Sequence, residues 1–172
     1  MNLEQLAMLR AMPNINVFRP ADAIETAAAW YSAITSKNTP TVLALSRQNL
    51  PQIEGSSKEA LKGGYIIAES IKAKPDAIII ASGSEVSLAV DAKKELMEKG
   101  FDIRVVSMPC MDIFEQQSDE YKEKILPQTV EKRLVVEAGS SICWGKYLGF
   151  KGKSVTIDTF GASAPANVLF IR

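Results

Sequence analysis

The residues best placed to do chemistry stand in the run Ser46-Arg47-Gln48-Asn49-Leu50-Pro51, directly after the apolar stretch Thr41-Val42-Leu43-Ala44-Leu45. Open α/β sheets bind ligands at the carboxyl ends of their strands. A permanently charged guanidinium there, followed by two amides and a proline-stiffened exit, suits recognition of phosphate. Spacing alone equally allows a surface arginine that closes a strand. A second candidate, Ser82-Gly83-Ser84-Glu85, lies between a strand-like and a helix-like run, where backbone N–H groups and the helix dipole favour anions. It lacks the glycine spacing and lysine of a P-loop and the three glycines of a dinucleotide fingerprint, so a helix capped by Ser84 is the preferred reading. Arg19 and Asp22 mark a further strand end. Asp22 stands three residues before Glu25, a capping-box pattern, and Arg19 reads as holding the strand-to-helix turn.

Other chemistry is sparse. The 172 residues include no histidine, which removes the commonest general base, triad partner and metal ligand. Cys110 and Cys143 lie far apart with no Cys-x-x-Cys pairing, so they read as reduced, partly buried thiols rather than a disulfide or metal site. Twenty basic residues balance twenty acidic ones, which argues against a nucleic-acid partner. No basic amphipathic helix and no long apolar run points to a membrane. Met1 to Gln5 carries no signal-peptide pattern, so the expected location is cytoplasmic. Asp91 to Lys99 and Ser118 to Lys124 alternate in sign at helical spacing and read as solvated helix faces.

The elements that must position these residues alternate between strand and helix. Asn2 caps a helix carrying Leu3, Leu6 and Leu9, which Pro13 and Asn14 end. Ile15 to Phe18 is a short strand. The helix after Asp22 places Ile24, Ala27, Ala28, Tyr31 and Ile34 on one face with Trp30 alongside, and Thr41 to Leu45 is the next strand. This βαβ unit is half of a doubly wound domain, and its apolar faces need further cover. Gln52 to Gly64 reads as a linker. Further strands are expected at Tyr65–Glu69, Ala77–Ala81, Ile103–Ser107, Arg133–Glu137 and Ser154–Ile157. Helices are expected after Ser84, stopping at Gly100, and over Ser118–Leu126 and Ser140–Leu148. Ser163 and Pro165 read as one more helix start close to the chain end, which therefore looks truncated. The fold class is α/β, a partial doubly wound βαβ unit followed by a compact, mostly parallel α/β domain.

The wording of several segments carries a resemblance. Leu9-Arg10-Ala11-Met12-Pro13-Asn14, Arg19-Pro20-Ala21-Asp22, Glu25 to Trp30, Ser46 to Pro51, Ile78 to Val86, Arg104 to Pro109 and Phe160 to Ala166 together resemble transketolase. The Ser-Arg-Gln-Asn-Leu-Pro wording favours it over other thiamine diphosphate enzymes such as 2-oxoacid dehydrogenase β-type subunits. The resemblance implies that residues 1–51 are the second half of a pyrimidine-binding domain, 52–64 a linker, and 65–172 a transketolase C-terminal domain.

The parent would be a transferase of the pentose phosphate pathway, moving a two-carbon ketol unit between phosphorylated sugars. Thiamine diphosphate and a divalent metal (Mg or Ca) would be held between its two subunits. In that family the arginine of this segment contacts substrate phosphate, and Arg47 occupies its position. The family's Gly-Asp-Gly metal and diphosphate motif, its essential glutamate and its Thr-His-Gln-Pro histidine have no counterpart in this sequence. Arg47 is therefore expected to be the one substrate-binding residue, with no catalytic, cofactor or metal residue beside it. The chain alone is expected to bind no cofactor, to be inactive, and to form a homodimer or self-associate. A stand-alone dimerisation or anion-binding module, using Ser82 to Glu85 or the Gly161 to Pro165 turn, is the alternative, as is one subunit of a split thiamine-diphosphate enzyme.

Overall fold

The computed structural model describes residues 3–159. The helix start at Ser163, the Gly161 to Pro165 turn and the cap at Asn2 lie outside them. Helix α1 (Leu3–Arg10) precedes strand β1 (Asn16–Phe18). Helix α2 (Ala23–Thr35) then crosses to β2 (Thr41–Leu43), which pairs in parallel with β1, Val17 opposite Val42. A parallel pair requires such a crossover. The other edge of β1 is closed: Val17 N–H donates to the Asp112 carboxylate at 3.1 Å and Arg19 N–H to the Pro109 carbonyl at 2.8 Å. Among the described residues no strand pairs with the outer edge of β2.

The second layer is a five-stranded sheet built from β3 (Tyr65–Ala68), β4 (Ala77–Ala81), β5 (Ile103–Ser107), β6 (Arg133–Val136) and β7 (Lys153–Val155). Its order is β3-β5-β4-β6-β7, with β3 antiparallel and all other pairs parallel. The central strand β4 is Ala-Ile-Ile-Ile-Ala, apolar on both faces because both are covered. On one face helix α3 (Glu85–Glu98) contributes Val86 and Ala89 to a core that also takes in Ala21, Ala28, Ile53 and Ala60. On the other, α4 (Met111–Glu115), α5 (Asp119–Ile125) and α6 (Gly145–Leu148) bury Met111, Phe114, Ile125 and Tyr147 with Trp144. Gly100, at φ +85°, ends α3 as expected: Phe101 N–H reaches the Leu96 carbonyl and Gly100 N–H that of Met97.

Several expectations change. Residues 52–64, read as a linker, are packed: they contain a 3-10 turn, Lys58–Lys62, and bury Ile53 and Ala60 against α2 and the sheet. The buried residues of α2 are Glu25, Ala28 and Ala29, whereas Ile24, Trp30, Tyr31 and Ile34 are exposed. Among the described residues the chain offers α2 cover on one side only, so most of the apolar face read from the periodicity is bare. Ser140 to Leu148 is broken into a 3-10 turn and a single helical turn, because Trp144 between them turns its indole inward to Glu137. The last strand shifts to Lys153–Val155, and α4 was not foreseen.

Candidate functional site

The Arg47 segment sits where the strand reading places it, beyond the carboxyl end of β2. The strand pattern gives out after Leu43, although Ala44 N–H still donates to the Phe18 carbonyl at 2.8 Å. A cavity of about 420 Å³ opens there, lined by Pro20, Asp22, Thr26, Leu45, Gln48 and Asn49 among others. Arg47 is exposed and is not itself among the lining residues, although its neighbours Ser46 and Gln48 are, and no described side chain hydrogen-bonds to its guanidinium. An exposed fork of donors with no partner among the described side chains is free to take two oxygens of an anion such as phosphate.

Asp22 begins α2 as its N-cap, accepting from Glu25 N–H at 3.0 Å. Glu25 does not close the capping box on Asp22. It accepts instead from Ala21 N–H at 2.7 Å, from the Tyr65 hydroxyl at 2.9 Å and from the Ser107 hydroxyl at 2.6 Å. This carboxylate is fully buried, and among the described residues no cation pairs with it. Burial pushes its pKa up, and the nearby Asp22 charge adds to that against the three hydrogen bonds. Burial and the Glu25 charge also raise the Tyr65 phenol well above its ordinary range.

Arg19 does not simply hold the strand-to-helix turn. Its guanidinium crosses to the five-stranded layer and donates to the Ser82 carbonyl and to Glu85, each at 2.5 Å, with Glu137 at 3.7 Å. Gly83, at φ +58°, leaves it room: a Cβ there would stand 2.8 Å from Arg19 Cζ. Ser84 makes no side-chain cap, its hydroxyl donating to Glu85 instead. The turn read as a possible anion site is thus filled by Arg19 and by a carboxylate of this chain. Next to it Glu137 accepts both terminal nitrogens of Arg10 at 2.8 and 2.9 Å, the Ser82 hydroxyl at 2.5 Å and the Trp144 indole N–H at 2.8 Å. The Arg10 guanidinium also lies 5.4 Å from the Trp144 ring centroid. Sequence reasoning gave no role to Arg10 or Glu137 and read Glu25 only as a capping-box partner. The signal it had for Glu137 was a carboxylate closing the apolar run Leu134-Val135-Val136, and for Glu25 one standing among alanines.

Both cysteines are free, as expected. Burial pushes the Cys110 thiol up to about 12 and raises Cys143, so neither is a ready nucleophile. Among the described residues no group of His, Cys, Asp or Glu could hold a metal, and no helix is long and apolar enough to cross a membrane.

Comparison with known proteins gives this arrangement a family. Residues 1–52 match the transketolase pyrimidine-binding domain and residues 63–172 the transketolase-like C-terminal domain. The transketolase of Bacillus subtilis is 56% identical over 171 residues, covering 97% of this chain and 26% of the relative. The structure of Pichia stipitis transketolase in complex with sedoheptulose 7-phosphate superposes with a TM-score of 0.88 at 50% identity, over 98% of this chain and 24% of that one. Transketolase from Leishmania mexicana gives 0.91 at 46% identity, over 99% and 25%. The chain thus spans about a quarter of the length of the relatives it matches, and it belongs to the transketolase family.

Proposed function

We propose that this chain forms the C-terminal portion of a transketolase, in which Arg47 anchors the phosphate of a sugar substrate while a two-carbon ketol unit is transferred. The observation that supports it is the exposed Arg47, which meets no described side-chain hydrogen-bond partner and stands in the chain between Ser46 and Gln48 of the cavity lining beyond β2, in a family with a member solved with a sugar phosphate. A phosphate held there lets binding energy remote from the reacting carbons align them. Thiamine diphosphate would supply the carbanion chemistry. The described residues do not fit its divalent metal, since they offer no ligand cluster. The chain alone is inactive on this reading, and ketol transfer by the purified 172-residue chain would overturn that part.

The anchor is tested in a chimera in which this chain replaces its matching segment in the Bacillus subtilis transketolase. A hydrogen bond to a charged group contributes about 1.5–3 kcal/mol. Arg47→Ala is therefore expected to raise KM for sedoheptulose 7-phosphate about 10- to 100-fold, with a smaller change in kcat. An unchanged KM would remove Arg47 from the substrate site.

The open edge of β2 and the bare face of α2 are covered, on this proposal, by the other half of the pyrimidine-binding domain. Without it, the exposed Trp30, Tyr31 and Ile34 drive self-association of the chain. Sedimentation velocity is expected to show dimers or larger species at about 100 μM, reduced by Trp30→Lys with Ile34→Lys. A clean monomer for the unsubstituted chain would contradict it.

A further inference from the structure

We propose that Asp22 is the positioning residue of the Arg47 segment, a task separate from its capping of α2. The inference rests on the reading of Arg47 as the phosphate anchor. An N-cap needs one side-chain oxygen. Asp22 Oδ1 meets that need, accepting from Glu25 N–H and from the Ser56 hydroxyl, both at 3.0 Å. Oδ2 is turned the other way. It accepts from the Gln52 side-chain amide at 2.6 Å and from Ile53 N–H at 3.2 Å, the two residues that follow the Ser46 to Pro51 run.

The segment is therefore clamped at both ends and free between them. Its entrance is fixed by β2 and by the Ala44 N–H bond to Phe18. Its exit is fixed by Asp22 and by the Ile53 side chain, which is buried in the core with Ala21, Ala28 and Ala60. No described side chain hydrogen-bonds to those of Arg47, Gln48 or Asn49. The position of the guanidinium depends on both clamps, because among the described residues no side-chain hydrogen bond fixes Arg47 itself. Asp22 is itself buried, and its four donors include the Glu25 N–H in the first turn of α2. Four donors also damp the negative charge that it would otherwise present to a phosphate in the same cavity.

Asp22→Asn separates the two tasks. Asparagine is a good N-cap, so its oxygen keeps the Glu25 and Ser56 bonds. Its NH₂ group would then face Ile53 N–H, a donor left with nothing to accept it, while Gln52 keeps a bond only by turning its amide to offer Oε1. Hydrogen exchange on the 172-residue chain is expected to quicken about tenfold across residues 46–53, with the α2 amides unchanged. In the Bacillus subtilis chimera, KM for sedoheptulose 7-phosphate should rise about tenfold with kcat within about twofold, and kinetics on unphosphorylated sedoheptulose should move by less than about twofold. Gln52→Leu, at an exposed position, removes one of the two bonds and should give the same pattern more weakly, even if Asp22→Asn fails to fold. Unchanged exchange over 46–53, or equal losses on both sugars, would overturn the proposal. If Arg47→Ala leaves KM for the phosphorylated sugar unchanged while Asp22→Asn still quickens exchange, the anchor reading fails and the hold of Asp22 on the segment stands.

Discussion

Glu137→Ala is expected to cost about 3–5 kcal/mol of folding stability, the range for removing one partner of a buried ion pair. For a chain of this size that lowers the melting midpoint by about 6–20 °C. The side chains of Arg10 and Glu137 are 3% and 1% exposed, so a guanidinium left without its carboxylate has no water to turn to. Glu137 also receives the Ser82 hydroxyl and the Trp144 indole, and Arg19 stands close by. Both arginines come from the two-stranded layer and its leading helix, and the carboxylates come from the five-stranded layer. Removing Glu137 therefore loosens the junction between layers as well as one site.

Burial would raise the Glu137 carboxyl, but the Arg10 hydrogen bonds and charge, with the charge of Arg19, outweigh it and hold the pKa below 4.5. A depressed carboxylate contributes stability that is intact above its unfolded value and is lost as pH falls through the folded one. The wild-type advantage over Glu137→Ala should thus persist from neutral pH to about 4.5 and shrink below it. Arg10→Leu with Glu137→Leu should be milder than the sum of the two single changes, because an apolar pair leaves no orphaned charge. Calorimetry of the five proteins decides it, and a Glu137→Ala loss under about 1 kcal/mol would deny the cluster its role.

The strands were legible because the apolar runs are short and continuous. Ala77–Ala81 and Ile103–Ser107 form at the expected residues, bounded by Pro75-Asp76 and by Met108-Pro109. Helix α2 was legible as a helix but not in its facing. Periodicity reports which side is apolar, and here that side lies largely outside the cover this chain provides. The place of Arg47 followed from the strand before it. The two interlayer clusters did not follow from anything local: Arg10 and Glu137 are 127 residues apart, and Glu25 and Ser107 are 82 apart. A buried carboxylate is recognisable only when its donors are known, and these come from other elements. The charge-rich runs show the same difficulty in reverse. Lys93 lies inside the run read as a solvated face, yet it is buried and donates to the Glu69 carbonyl.

The second cluster makes the opposite prediction from the first. Glu25→Ala strands the Ala21 N–H and the Tyr65 and Ser107 hydroxyls at a junction of α2, β3 and β5. Each unsatisfied buried donor costs about 1–3 kcal/mol. Tyr65 retains Ser56 at 3.4 Å as a weak alternative, and loss of a desolvated charge offsets part of the rest, so about 2–4 kcal/mol is expected. The pH dependence is the sharper test. Burial raises the Glu25 carboxyl above 4.5, with the Asp22 charge adding to the rise. A raised carboxyl contributes stability that is complete below its unfolded value and is lost as pH climbs through the folded one.

From about pH 4.5 upward, Glu25 therefore lowers wild-type stability, over a range in which the Glu137 contribution is already constant. Glu25→Gln preserves the shape and an oxygen for Tyr65 and Ser107 but cannot ionise. Its stability relative to wild type should thus improve as urea midpoints are followed from pH 4.5 to 8. A difference that stays constant across that range would mean that Glu25 is ionised throughout. Its three donors would then hold the charge against burial, and the cluster would be a fixed anionic tether like that of Glu137.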